Sequence, residues 1–126
     1  MAAFMDARLP LRFGPLASVQ PDEAVLLPEG DKASPPAGHA VQRFAQPIGG
    51  GGMVHSAACP CCMPRGPLAT ALTRLFFARA RGEVPFFAGV LVADADAGTE
   101  AAIRALLRRD KLIGSRYRAA PSAAAL

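Results

Sequence analysis

Phe86-Phe87-Ala88-Gly89-Val90-Leu91-Val92-Ala93 leads into Asp94-Ala95-Asp96-Ala97-Gly98-Thr99, and then into a stretch whose apolar residues fall at Ile103, Leu106 and Leu107. An apolar run of this length, closed by acidic and glycine positions, reads as a strand buried on both faces, the habit of a parallel sheet covered by helices. The segment after it predicts a helix from about Thr99 to Arg109. Thr99 serves as N-cap, Glu100 complements the positive helix start, and Arg108 and Arg109 occupy the end that favours cations. Strand followed by helix is the unit from which α/β folds are assembled.

Working outward, the sequence supplies further elements of the same kind. A second helix is predicted from about Pro67 to Arg81: Leu68, Ala71, Leu72, Leu75 and Phe76 share one face, Pro67 suits the first helical position, and Gly82 suits the stop. Ala24 to Leu27 reads as a buried strand that opens after Pro28 into Glu29-Gly30-Asp31, and Ala40 to Ala45 as another short strand. Gly49 to Gly52 is a loop that neither sheet nor helix tolerates inside it. Leu112 to Tyr117 is expected to pack back on the sheet. The order predicts an α/β fold: a small layered domain with a mainly parallel sheet, spanning residues 23–118. Residues 1–22, punctuated by Pro10, Pro15 and Pro21, read as a loose arm or an edge segment, and residues 119–126 as a disordered tail. Ligands in such folds collect at the carboxyl ends of the strands, where the sequence sets Glu29, Asp31, a cysteine-rich turn, Asp94 and Asp96.

Composition agrees with one modest core. The chain has 126 residues, 52% hydrophobic and 19% charged, with 12 Gly and 12 Pro, too few for low-complexity disorder. No apolar run approaches the roughly 20 residues needed to cross a bilayer, and the amino end lacks a signal-peptide stretch, so a cytoplasmic protein without a membrane partner is expected. The net charge of +4 is concentrated after residue 103, where Arg104, Arg108, Arg109, Lys111, Arg116 and Arg118 face only Asp110. Such a cluster reads as a solvated face, and nucleic acid is not an expected partner.

The chemistry lies in His55-Ser56-Ala57-Ala58-Cys59-Pro60-Cys61-Cys62-Met63-Pro64. Three cysteines in four positions cannot form a disulfide framework, because the count is odd and the spacing closes no loop of consequence. Thiolates are soft ligands that suit zinc or copper(I). Cys59 and Cys61 point the same way in an extended chain, and Cys62 joins them only where the backbone turns, as Pro60 and Pro64 permit. Zinc ordinarily takes four ligands, so Glu29 or His55 is the expected supplement. Two other readings stand beside metal binding: a thiol-redox protein using one of the cysteines as nucleophile, and a structural or interaction protein whose cysteines are vestigial.

The segment Cys59-Pro60-Cys61-Cys62-Met63-Pro64-Arg65-Gly66-Pro67-Leu68 resembles the CxCC-x-x-R-G-D-L block of the CobW family of metal-chaperone GTPases. The similarity continues through Arg79-Ala80-Arg81-Gly82-Glu83-Val84-Pro85, Val90-Leu91-Val92 and Arg109 to Arg118, covering roughly residues 54–118, and Leu26 to Glu29 is similar to the family strand that ends in Asn-Glu. The resemblance implies a partial P-loop-NTPase-like fold and a zinc or related site at Cys59, Cys61 and Cys62, helped by Glu29. It also implies, as partner, a full-length CobW-type GTPase or a metalloprotein client. This chain departs from the family pattern at the nucleotide. No GxxxxGK[ST] occurs, Gly49 to Gly52 are followed by Met53 and Val54, and no Asn-Lys-x-Asp appears. The expectation is therefore a metal-binding, metallochaperone-like accessory protein that holds no nucleotide and does not hydrolyse GTP.

Overall fold

A computed structural model describes residues 7–45 and 66–120. Five strands form one sheet: β1 (Leu9–Gly14), β2 (Glu23–Pro28), β3 (Val41–Phe44), β4 (Gly89–Ala93) and β5 (Tyr117–Ala119), in the order β3-β2-β4-β1-β5. Every pairing is parallel. Three helices accompany it, α1 (Gly66–Ala80), α2 (Ala97–Arg109) and α3 (Lys111–Arg116). The α/β layered domain expected from the sequence is the fold observed. No helix among the described residues is long and apolar enough to cross a membrane.

The two faces of the sheet are covered unequally. Leu9 and Leu11 of β1, Leu26 of β2, Val90 and Val92 of β4 and Tyr117 of β5 share a core with Leu72 and Leu75 of α1, Ile103 of α2 and Ile113 of α3. All three helices therefore contribute to one face. The alternate residues Val25, Leu27, Leu91 and Ala93 are just as buried, but their cover includes Leu16 and Val19, on and beside a single 3-10 turn at Leu16–Ser18. Residues 15–22 carry the chain from β1 past β4 to β2 without the α-helix of roughly a dozen residues that usually makes such a parallel connection.

Two local signals in the sequence act as read. Gly82, at φ +71°, ends α1: its N–H donates to the Arg79 carbonyl (3.1 Å) and the Glu83 N–H to the Ala78 carbonyl (2.9 Å), the paired bonds of a Schellman stop. Glu23 to Pro28 is buried along nearly its whole length, as the apolar run Ala24 to Leu27 inside it requires.

Four expectations need correction. Residues 9–14 are neither loose arm nor edge; β1 lies between β4 and β5. Pro10 is tolerated there because pairing with β4 starts only at Leu11↔Val90, so its missing N–H removes no bond from that ladder. At the other end Ala119 belongs to β5 and the Ala120 N–H donates to the Leu11 carbonyl (2.9 Å), so the sheet extends past residue 118; residues 121–126 lie outside the described residues. The strand expected from Phe86 pairs only from Gly89. Phe86 is exposed beneath the Arg79 guanidinium, 4.7 Å from its ring centre, and the Phe87 carbonyl accepts from Arg79 Nε (2.7 Å) instead of from a strand. Finally, α2 is capped by Asp96 and not by Thr99: the carboxylate accepts from the Thr99 N–H (2.7 Å), and the helix starts correspondingly earlier.

Candidate functional site

Because all five strands run the same way, their carboxyl ends share one edge, and Glu29, Asp94 and Asp96 follow two neighbouring strands there. Glu29 comes directly after β2. Its N–H donates to the carbonyl of Phe44, the last residue of β3 (2.8 Å), and its carboxylate is exposed and makes no hydrogen bond among the described residues. Asp31 folds back on its own loop, Oδ1 accepting from the Ala33 N–H (2.8 Å). That loop is strapped down by Arg43 of β3, which donates to the carbonyls of Asp31 (2.7 Å) and Ala33 (3.0 Å).

Asp94 ends β4 with φ +52°, the one non-glycine residue with positive φ among the described residues, and its N–H donates to the Gly14 carbonyl (2.8 Å). Aspartate is among the few side chains that accept this left-handed geometry, and it turns the chain sharply from the central strand into α2. Asp96 is held below the ordinary aspartate range by the backbone N–H of Thr99 and then by the Thr99 hydroxyl. It remains an anion at neutral pH.

A cleft of about 500 Å3 opens at this edge between the first turns of α1 and α2. Phe44 and Ala45 line it from the end of β3, Pro67 and Leu68 from α1, and Asp96 and Thr99 from α2. The lining is mainly apolar. Of the four edge carboxylates, Asp96 alone lines the cleft among the described residues. Glu29 is tied to its rim through the bond to Phe44, and the carboxylates converge on no common point: no group of three or more His, Cys, Asp or Glu among the described residues is placed to hold a metal ion.

Cys59, Cys61, Cys62 and His55 lie outside the described residues, as do Gly49 to Gly52. They belong to the segment that leaves the cleft rim at Ala45 and re-enters it at Gly66. His39 is remote from this edge; Nδ1 contacts the Glu23 carbonyl (2.7 Å) at the opposite end of β2.

The strongest polar contact in the sheet was not legible in the sequence. On the thinly covered face, Arg12 of β1 grips Glu23 of β2 with Nε to Oε2 at 2.8 Å and Nη2 to Oε1 at 2.7 Å. Nη2 also donates to the Ser18 carbonyl (2.8 Å), and the Gln20 N–H donates to Glu23 Oε1 (2.9 Å). Burial pushes the Glu23 carboxyl up, but the hydrogen bonds from Arg12 and Gln20 and the Arg12 charge together hold it below the ordinary range. A signal existed in the alternation of Leu9, Leu11 and Phe13 with Pro10 and Arg12, which the prolines obscured.

Comparison of the chain with protein-family models, with curated proteins and with solved structures finds no match.

Proposed function

We propose that the chain is a metal-handling protein that binds zinc or another thiophilic ion through Cys59, Cys61 and Cys62, with Glu29 as oxygen ligand, and that it hydrolyses no nucleotide. The observation that carries this reading is the 2.8 Å bond from the Glu29 N–H to the Phe44 carbonyl. It ties the backbone of the residue that the CobW resemblance nominates to the strand end from which the cysteine-bearing segment departs. The segment returns at Gly66, four residues after Cys62.

The donor chemistry fits a thiophilic ion. Three thiolates and one carboxylate make the four ligands zinc prefers, and the Glu29 carboxylate has no competing partner among the described residues. His55 is the second candidate for the fourth position. A mixed site exchanges ligands more readily than four cysteines, which suits transfer: a client thiol loses its proton and binds the ion as one cysteine leaves and takes up a proton. A full-length CobW-type GTPase or a metalloprotein client is the corresponding partner. The sequence holds no phosphate-cradling motif, so nucleotide is no part of the proposed chemistry. At the end of β1 the chain continues through Pro15, which has no N–H to offer, into the 3-10 turn.

The test is zinc titration of the reduced chain against a competing chelator, beside a Cys59→Ser/Cys61→Ser/Cys62→Ser variant and Glu29→Gln. One ion per chain, loss of binding in the triple variant and weaker binding in Glu29→Gln are expected. Equal affinity in the parent and the triple variant overturns it.

A further inference from the structure

The solvent side of α1 gathers basic and apolar residues on one stripe. Arg74, Phe77 and Arg81 recur at helical spacing and all three are exposed. The Arg81 N–H donates to the Phe77 carbonyl (2.9 Å), so the helical path carries on past Ala80. Helix α3 lies alongside. Its Arg116 guanidinium stands 4.7 Å from the centre of the Phe76 ring and 5.1 Å from that of Phe77, and Leu112, one turn earlier on α3, shares its face. Neither helix contains an aspartate or glutamate. The acids nearest in sequence are Glu83, 3.8 Å from Arg81 with both side chains in water, and Asp110, whose Oδ1 accepts from the Leu112 and Ile113 N–H groups (2.9 and 3.1 Å).

Cations near a helix carboxyl end are explained by the helix dipole alone. Apolar side chains left in water between them are not. Of the four large apolar side chains exposed among the described residues, Phe77 (40%) and Leu112 (52%) both belong to this face. The arginines are engaged, and the kind of engagement decides what the face can take. Arg81 and Arg116 both lie over the Phe77 ring, at 5.7 and 5.1 Å. A guanidinium on a ring spends its flat face there and keeps its N–H edge for water or a carboxylate. The same stacking crowds Phe77, so a nucleotide base finds little open ring to lie on. The exposed Arg81–Glu83 pair is long and solvated, so a competing carboxylate displaces it at small cost.

We propose that the α1–α3 face docks an acidic segment of a partner protein in which carboxylates are interspersed with apolar side chains. The carboxylates meet the N–H edges of Arg74, Arg81 and Arg116, and an apolar side chain seats against Phe77 and Leu112. The face lies at the last turn of α1, whereas the cleft opens at its first, and it does not depend on the metal reading.

The experiment is fluorescence anisotropy of a labelled peptide of Glu-Glu-Leu repeats titrated with the full chain at low ionic strength, beside a Lys-Lys-Leu peptide, a Glu-Glu-Ser peptide and a labelled oligothymidylate. Saturable binding of the Glu-Glu-Leu peptide that fades with added salt is expected, with weaker binding of the serine peptide and none of the lysine one. Arg81→Gln and Arg116→Gln each weaken it about 3-fold and together about 10-fold, the size of exposed ion pairs. Leu112→Ser weakens it roughly 5-fold through the lost apolar contact. Lys32→Gln, in the loop after β2, leaves it unchanged. Because Arg81, Leu112 and Lys32 are exposed, their variants fold, and unchanged urea midpoints check this. Parent-like affinity in both Arg81→Gln/Arg116→Gln and Leu112→Ser, or an equal loss in Lys32→Gln, overturns the proposal. So does oligothymidylate bound through the same arginines as tightly as the acidic peptide, or a dimer of the chain that Leu112→Ser dissolves in sedimentation.

Discussion

Replacing Arg12 with Met strands the Glu23 carboxylate on a buried strand. The Glu23 side chain is only 10% exposed and Arg12 30%, and the pair is bidentate. Removing one partner of a fully buried pair costs about 3–5 kcal/mol. Here the wetter arginine side and the surviving bond from the Gln20 N–H bring the expected loss for Arg12→Met to about 2–3 kcal/mol. For a domain of this size each kcal/mol moves the midpoint by roughly 4–8 °C, so a fall of about 10–20 °C is expected. The pH dependence carries its own sign. In the parent the Glu23 pKa is lowered on folding, so its contribution is complete above the ordinary carboxylate pKa and lost as pH falls through the lowered value. In Arg12→Met both lowering contributions of Arg12 are gone, and only the Gln20 N–H and the His39 charge still oppose burial. That pKa therefore rises relative to the parent, and the deficit is largest at neutral pH and shrinks on acidification toward pH 4. Urea unfolding followed by circular dichroism at pH 7.5 and 5 measures both. The double variant Arg12→Met/Glu23→Leu, which leaves no buried charge, is expected within about 1 kcal/mol of the parent. A loss under about 0.5 kcal/mol for Arg12→Met, or the same deficit at both pH values, would refute the reasoning.

Two further outcomes follow from single contacts. A Cβ at Gly114 would stand 2.6 Å from the Leu107 carbonyl oxygen, a backbone atom that cannot step aside. Gly114→Ala is therefore expected to cost about 1–3 kcal/mol in urea unfolding by forcing α3 off α2, and a neutral result would show that the two helices shift freely. Asp96→Ala removes the α2 cap and is expected to lower the thermal midpoint, whereas Asp96→Asn keeps an acceptor for the Thr99 N–H. Because the folded Asp96 pKa is lowered, the parent should lose this stabilisation as pH drops below the ordinary aspartate range, and the Asn variant should show no such step; parallel melts from pH 6 to 3 compare them.

Much of the fold was legible where local signals and burial agree. The apolar runs of β2 and β4, the α1 stripe with its Gly82 stop and the α2 stripe all encode their own surroundings. What escaped depends on distant partners. β1 looks like a proline-broken arm until Val90 and Tyr117 are placed beside it, and β5 is three residues long with no pattern of its own. The α2 cap was misplaced because Asp96 and Thr99 are both credible caps, and only geometry selects the carboxylate. At the candidate site, Glu29 occupies the strand end its sequence context indicates, while its link to the end of β3 is a tertiary bond that no local pattern carries. The α1–α3 face escaped for the same reason: Phe77 and Arg116 meet only once α3 packs beside α1.

That dependence has a consequence for biogenesis. Strand β1 leaves a ribosome well before its neighbours β4 and β5, which are made only near residues 90 and 117. Until then Leu9 and Leu11 have no permanent shelter, and both long edges of β1 are open to any other nascent strand. Loop closure over so much sequence must precede the reward of pairing, which makes the sheet slow to assemble for its size. A cell translating this chain therefore gains from an early chaperone grip on β1, held until β4 and β5 arrive to release it.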